Sequence, residues 1–355
     1  MIRLEPRAAP SKLMATLSPL IAILLTLIAG ALLFAALGQN PWRALRVYFL
    51  SPFDDAYMRA EVLVKAVPLA LMGAGLAVCF RANVWNIGAA GQFTLGAIGA
   101  GAAALFIPAE SPFAMLAVPL IAGALCGMAW AAVPAALRTR LGVNEILVSL
   151  MLTYVAALLL DWLVRGPWRN PRGFGFPQTN AFPDWAHAPI LVEGTRLHVG
   201  AFLAVAAALG LGLMMSRTLR GLRLRVTGGA PRAARFAGFS AAGDVWFALL
   251  LSGGLAGLAG ALEATSTVGR LQPEIGAQAG FTAIIVAFLG RLNPIGALLG
   301  ALVLAVSAIG GENAQILLNL PKNVAGVFQG MLLFFLLACD ALINYRPRLV
   351  ARRRA

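Results

Sequence analysis

Ten apolar runs divide the chain: Ser18 to Leu37, Val62 to Phe80, Asn86 to Ile107, Ala114 to Ala136, Ile146 to Val164, His198 to Ser216, Val245 to Ser266, Ala279 to Gly290, Ile295 to Gly310 and Val324 to Ile343. They are continuous rather than alternating, which predicts membrane-spanning helices and not barrel strands. The Ala279 to Gly290 run falls short of the roughly 20 residues that a full crossing needs, so it is half-spanning or broken. The first run, from Pro19 to Leu37, is too long for the core of a cleaved signal peptide and has no convincing cleavage site after it. It is expected to stay as an anchor.

Composition agrees. Hydrophobic residues fill 60% of 355 positions, charged residues 12%, and the mean hydropathy is +0.83, beyond the range of soluble domains. The expected fold is an all-α polytopic membrane protein of about ten transmembrane helices, forming a single transmembrane domain over residues 1–355.

Charge sets the orientation. With the N-terminus inside, the cytoplasmic side collects Arg3, Arg7, Lys12, Arg81, Arg138, Arg140, six arginines from Arg217 to Arg235, Arg291 and five from Arg346 to Arg354, which is 18 of 28 basic residues. That asymmetry predicts N-in and C-in. Residues 1–17, 217–244 and 344–355 then face the cytoplasm and 165–197 the outside. The net charge of +14 follows from this topology and from anionic lipid at the inner leaflet; nucleic acid is not an expected partner.

Conventional reactive chemistry is sparse. Cys79, Cys126 and Cys339 lie in apolar runs as small hydrophobes, and His187 and His198 have no ligand-spaced partner, so no metal site is expected. GxSxG, HExxH and Walker A sequences do not occur, so no catalytic residue is assigned. The inner loop from Arg217 to Asp244 carries a Gly228-Gly229 break and then Pro231 at a first helical position, predicting a short surface helix that ends at Gly238.

Four motifs carry a resemblance: NIGAAGQFTLGA from Asn86, GVNEILVSLMLTY from Gly142, GGAPRAARFAGF from Gly228 and GRLNPIGALLGAL from Gly290. In this order they resemble permease subunits of bacterial ABC importers of the ribose and branched-chain amino acid type, most of all the simple-sugar and nucleoside branch. The resemblance runs from about Lys65 to the C-terminus. It implies a passive half of a translocation pore in the bacterial inner membrane, without a cofactor of its own. A separate ABC ATPase subunit would hold ATP and magnesium, a second permease (a paralogue or another copy) would complete the pore, and an extracytoplasmic solute-binding lipoprotein would deliver the solute. Gly228, Pro231, Arg232, Ala233, Ala234, Arg235 and Gly238 would then couple the chain to the ATPase. Two positions depart from the family pattern: Ala90 stands where an acid is common, and Gly229 and Ala230 stand where an acidic or polar residue and Asn usually precede the proline.

An internal match adds to this. Ile87 to Thr94 reads IGAAGQFT and Ile275 to Thr282 reads IGAQAGFT. By the topology above, the first copy enters a span from inside and the second from outside, as expected of a 5+5 inverted repeat whose interface carries the substrate path. Glycines permit close backbone approach and broken helices, whose free N–H groups meet solute oxygens. The candidate path comprises Asn83, Trp85, Asn86, Gln92, Phe93, Thr94, Gln278, Phe281 and Thr282, an uncharged lining suited to a neutral polar solute such as a nucleoside or simple sugar. Trp85, Phe93 and Phe281 are stacking candidates, with interfacial anchoring as the plainer reading. Glu263 is a further path candidate or an interfacial residue; Asp161 reads as interfacial. A self-sufficient secondary transporter or channel is the alternative, although it would call for ionisable residues deep in the bundle.

Overall fold

A computed structural model describes residues 2–6, 11–107, 112–276, 278–321 and 323–349. Among them the chain runs β1 (Ile2–Pro6), α1 (Lys12–Ala36), α2 (Pro41–Phe49), α3 (Ala56–Arg81), α4 (Ala89–Phe106), α5 (Pro112–Leu141) and α6 (Glu145–Arg165). It continues through α7 (Gly200–Arg217), α8 (Leu219–Gly229), α9 (Pro231–Phe236), α10 (Ala241–Leu262), α11 (Ala279–Leu289), α12 (Pro294–Leu318), α13 (Val324–Asn344) and β2 (Tyr345–Leu349).

Every apolar run is helical. Among the described residues, eight helices are long and apolar enough to cross a membrane, while Ala279–Leu289 and Val324–Cys339 are shorter apolar stretches. Polar side chains start several of them: Asn144 accepts from the Ile146 N–H at 2.9 Å, and Ser240 accepts from the Gly243 N–H at 3.2 Å, satisfying donors that a helix start leaves open. Among the described residues, the helical pattern is broken by one antiparallel ribbon, in which Ile2 pairs with Leu349 and Pro6 with Tyr345. Residues 2–6 and 345–349 therefore lie side by side.

The chain forms two compact units, 1–58 with 306–355, and 59–305. In the first, α1 follows a period of four: Leu20, Leu24, Ile28 and Leu32 are exposed, whereas Ser18, Ala22, Thr26 and Phe34 are buried. Such a stripe suits a helix with lipid on one side and protein on the other. Phe34 stacks near Phe328 and Tyr48, and the Tyr48 hydroxyl meets Ser307 Oγ at 2.8 Å.

The larger unit is centred on α4, α5 and α10, which pack backbone to backbone. A Cβ built on Gly257 would lie 2.3 Å from the Gly123 carbonyl oxygen, and one on Gly96 would lie 2.2 Å from that of Gly257. Small residues are the means by which helices associate where no hydrophobic effect drives them together. α10 ends in a π-helical turn, Glu263–Val268, closed by Gly269 at φ +74°. The connection between α6 and α7 packs against this turn: the Thr179 and Phe182 N–H groups donate to Leu271 and Gly269 carbonyls at 3.0 and 2.8 Å.

Candidate translocation site

The segment between α3 and α4 is the key local structure. α3 stops at Arg81, Asn83 turns through φ +55°, and Val84 to Ile87 is non-helical before α4 starts at Ala89. Its depth is set by α6 alongside. A Cβ on Gly88 would lie 2.5 Å from the Ser149 carbonyl oxygen, and one on Gly91 would lie 2.8 Å from Thr153 Cα. Thr153 is eight residues beyond Glu145, where α6 begins, so at 1.5 Å per residue Gly91 lies roughly 12 Å from that end.

The second copy reaches the same level from the other direction. A Cβ on Gly280 would lie 2.3 Å from the Ala90 nitrogen, and one on Gly276, at φ +68°, would lie 2.1 Å from the Phe93 ring. Gly280 is nine residues from Leu289 at the far end of α11, about 14 Å along its axis. The two helix starts thus meet beside α6, partway along its length.

A cavity of about 170 Å³ opens at this meeting point, lined by Ala90, Thr94, Thr153, Tyr154, Ala157, Leu160, Glu274, Ile275 and Phe281. Of the sequence candidates, Thr94 and Phe281 line it. Thr94 Oγ1 also donates to the Ala90 carbonyl at 3.0 Å. Thr282 is the next residue on α11 and is half-buried, and Gln278 sits exposed at that helix's start. A larger hollow of about 280 Å³ beside Gly290, Arg291 and Gly296 has Arg291 as its one polar side chain.

The other candidates lie elsewhere. Asn86 and Gln92 are buried and exchange two amide hydrogen bonds of 2.8 and 2.9 Å, and Asn86 also donates to Ser252 Oγ at 3.1 Å. Phe93 is buried beneath Gly276. Asn83 and Trp85 sit at the arginine-rich end, where the indole N–H donates to Asn83 Oδ1 at 3.0 Å and the ring packs with Phe80 and Phe288. Glu263 begins the π-helical turn near Lys65, Arg196 and Glu61 and is bonded by Thr267. Glu61 is itself buried and held by the Arg196 guanidinium, with Nε–Oε1 at 2.9 Å. That group ties the connection between α6 and α7 to α3 and to the turn after α10.

Several residues were not singled out from sequence. Thr153, Tyr154 and Glu274 reach the cavity from distant segments, and Glu274 adopts φ +64°, uncommon for a residue with a Cβ. Glu145 accepts from the Trp85 N–H at 3.3 Å and from Arg138, pinning the non-helical segment to α5 and α6. Its place directly after a capping asparagine was the available signal.

The segment between α7 and α10 differs from the expected break. Residues Leu219–Gly229 form α8 through the glycine pair, because a Cβ at Gly228 would lie 2.2 Å from the Arg81 carbonyl oxygen and only glycine permits that approach. Pro231 then opens α9 and Gly238 follows it at φ +73°. Arg232, Ala233 and Arg235 are exposed, Ala234 is buried, and Phe236, which the sequence reading did not assign, is 94% exposed.

A helical membrane bundle with a cavity between broken helices, and a short exposed helix on its arginine-rich side, defines a membrane transport subunit. The chain belongs to the branched-chain amino acid transport system / permease component family, whose model matches residues 58–337. It is 33% identical to the glucose ABC transporter permease protein TsgB13 of Haloferax volcanii over 99% of this chain and 95% of that one. It is 29% identical to the guanosine ABC transporter permease protein NupP of Bacillus subtilis, over 92% and 94% of the two chains. Against the nucleoside ABC transporter permease protein NupB of Lactococcus lactis subsp. cremoris the identity is 28%, over 90% of each. The chain is therefore a multi-pass membrane subunit of an ABC importer, and the self-sufficient transporter is not favoured.

Proposed function

We propose that this permease carries a neutral polar solute, a nucleoside or simple sugar, along a path through the cavity between the two glycine-rich turns. The observation that carries the reading is the cavity's composition: residues from both turns, Thr94 and Ala90 from one and Ile275 and Phe281 from the other, line one space. Thr94, Thr153, Tyr154 and Glu274 offer hydroxyl and carboxylate partners, and Phe281 offers an apolar face for a sugar or base. The names of the relatives support the same solute classes.

One chain supplies only part of such a path. About 170 Å³ is less than the roughly 300 Å³ at which small-molecule sites begin, and Tyr154 and Phe281 are 59% and 45% exposed at its rim. A second permease completes the path. Both work in the plasma membrane, served by an extracytoplasmic binding protein and driven by a cytoplasmic ATPase that holds ATP and magnesium. The ATPase docks on Pro231 to Gly238, with Phe236 as its apolar anchor.

Uptake of labelled nucleosides and sugars into ATP-loaded vesicles tests this, with the chain alone and with its ATPase, binding protein and second permease. Uptake is expected only with the partners. Transport by the chain alone sinks the proposal, as does normal uptake by the Thr94→Ala and Thr282→Ala variants together.

A further inference from the structure

Asp244 is fully buried in the first turn of α10, and nothing in the path or the docking helix accounts for it. A carboxylate is costly to bury without partners. Its partners come from α8. Thr227 Oγ1 donates to Asp244 Oδ2 at 2.7 Å, and Arg223 Nη2 lies 3.3 Å from Oδ1. The ion contact is not an aligned hydrogen bond, since Oδ1 and Arg223 Nε are each left without one. The same guanidinium lies 5.4 Å over the Phe239 ring, and Arg220 lies 4.7 Å over Phe247.

These contacts bracket α9 on both sides. Arg223 and Thr227 precede it, Phe239 follows it, and both limbs converge on one turn of α10. α9 itself is anchored by a single buried side chain, Ala234, so a force applied to it leaves through its flanks. α10 in turn offers little compliance. A Cβ on Gly260 would lie 2.0 Å from the Phe93 carbonyl oxygen, and Phe93 packs under Gly276 beside the cavity. Backbone contacts between helices have no side chain to absorb a shift, so α10 displaces α4 when it moves.

We propose that the Arg223–Asp244–Thr227 cluster is the joint through which displacement of α9 reaches α10 and thereby the cavity, with Asp244 as its positioning residue. A buried ion pair adds little net stability, and its value lies in fixing one geometry. The pair resists sliding between α8 and α10, so the two helices move together. This inference rests on α9 being the ATPase docking helix.

The test uses the complete transporter in vesicles, measuring solute imported per ATP hydrolysed, together with ATPase co-purification. Asp244→Asn keeps the side chain's shape and the Thr227 contact while removing the ion pair. It is expected to retain the ATPase and to lower import per ATP roughly two- to thirty-fold, the range seen for residues that carry coupling between sites. Asp244→Glu restores part of the ratio, which a merely space-filling role would not predict. Arg223→Gln, at a position less deeply buried, gives the same direction if Asp244→Asn does not accumulate. An unchanged ratio in Asp244→Asn, or in Arg223→Gln where the former is absent, overturns the proposal, as does loss of ATPase binding in place of coupling. If the unaltered chain shows no ATP-driven import with its partners, the functional reading fails instead, and that arm separates the two.

Discussion

Adding one methyl group at Gly280 is the sharpest test of the crossing between the two turns. The new Cβ would lie 2.3 Å from the Ala90 nitrogen, 2.6 Å from its Cα and 2.5 Å from its Cβ. Ordinary contact begins at 3.4 Å, so the starts of α4 and α11 must part by about 1.1 Å, the difference between 3.4 and 2.3. No rotamer relieves this, because two of the three atoms are backbone. Overpacking of this kind costs about 1–3 kcal/mol. For a unit of this size each kcal/mol lowers Tm by about 2–4 °C, so the Gly280→Ala variant should melt roughly 2–12 °C lower. The assay is thermal unfolding of the detergent-purified permease, followed by vesicle uptake with its partners. Ala90→Gly in the same chain removes the Cβ–Cβ clash but leaves the backbone one, so it should recover only part of the loss. A Gly280→Ala protein with unaltered melting and uptake would refute the close approach, and with it the shared cavity.

Three further outcomes follow from the geometry. Asn86→Ala leaves the buried Gln92 amide without its partner and should cost about 1–3 kcal/mol; the Asn86→Ala/Gln92→Ala double variant should cost less than the sum of the singles, as unfolding of all three proteins will show. Glu274→Gly removes a side chain held at φ +64°, so it should raise stability by about 1 kcal/mol while lowering uptake, a trade-off read from melting and transport on one preparation. Phe236→Asp should leave melting unchanged, since the ring is exposed, and should abolish capture of the ATPase from detergent extracts.

Much of the fold was legible because hydrophobicity alone decides where a membrane helix runs. Each apolar run is a helix, the short run at Ala279 remained short, and Pro231 and Gly238 stand at the start and just beyond the end of α9, where ring geometry and positive φ suit them. The glycines were legible as signs of close approach, but not of which approach. Gly228 and Gly229 looked like a helix break, whereas α8 runs through them and Gly228 serves contact with Arg81. Partners far apart in sequence were invisible: nothing local links Glu61 to Arg196, or Asp244 to Arg223, or brings Thr153 and Tyr154 to the second turn. The two short helices α2 and α8 lack the apolar run that announced the long helices, and the pairing of a starting proline with a closing glycine that announced α9.

Polarity in the first turn was the feature most open to a second meaning, and the structure separates two roles within it. A non-helical segment at membrane depth must satisfy its backbone and side-chain polar groups inside the protein, because lipid offers no partner. From Asn83 to Asn86 this is done locally. The Val84 N–H returns to the Cys79 carbonyl at 2.9 Å, the Trp85 N–H to Glu145, and Asn86 is tied to Gln92 and Ser252. Asn86 and Gln92 therefore hold the re-entrant segment in place, and their hydrogen-bonding capacity is largely taken up before a solute arrives. The polar residues that line the cavity are Thr94, Thr153, Tyr154 and Glu274, spread over three segments, with the Thr94 and Thr153 hydroxyls each donating to a carbonyl one turn back at 3.0 and 3.2 Å. A polar glycine-rich motif thus marks a broken helix, while the residues that line the adjoining cavity are gathered around the break by the fold.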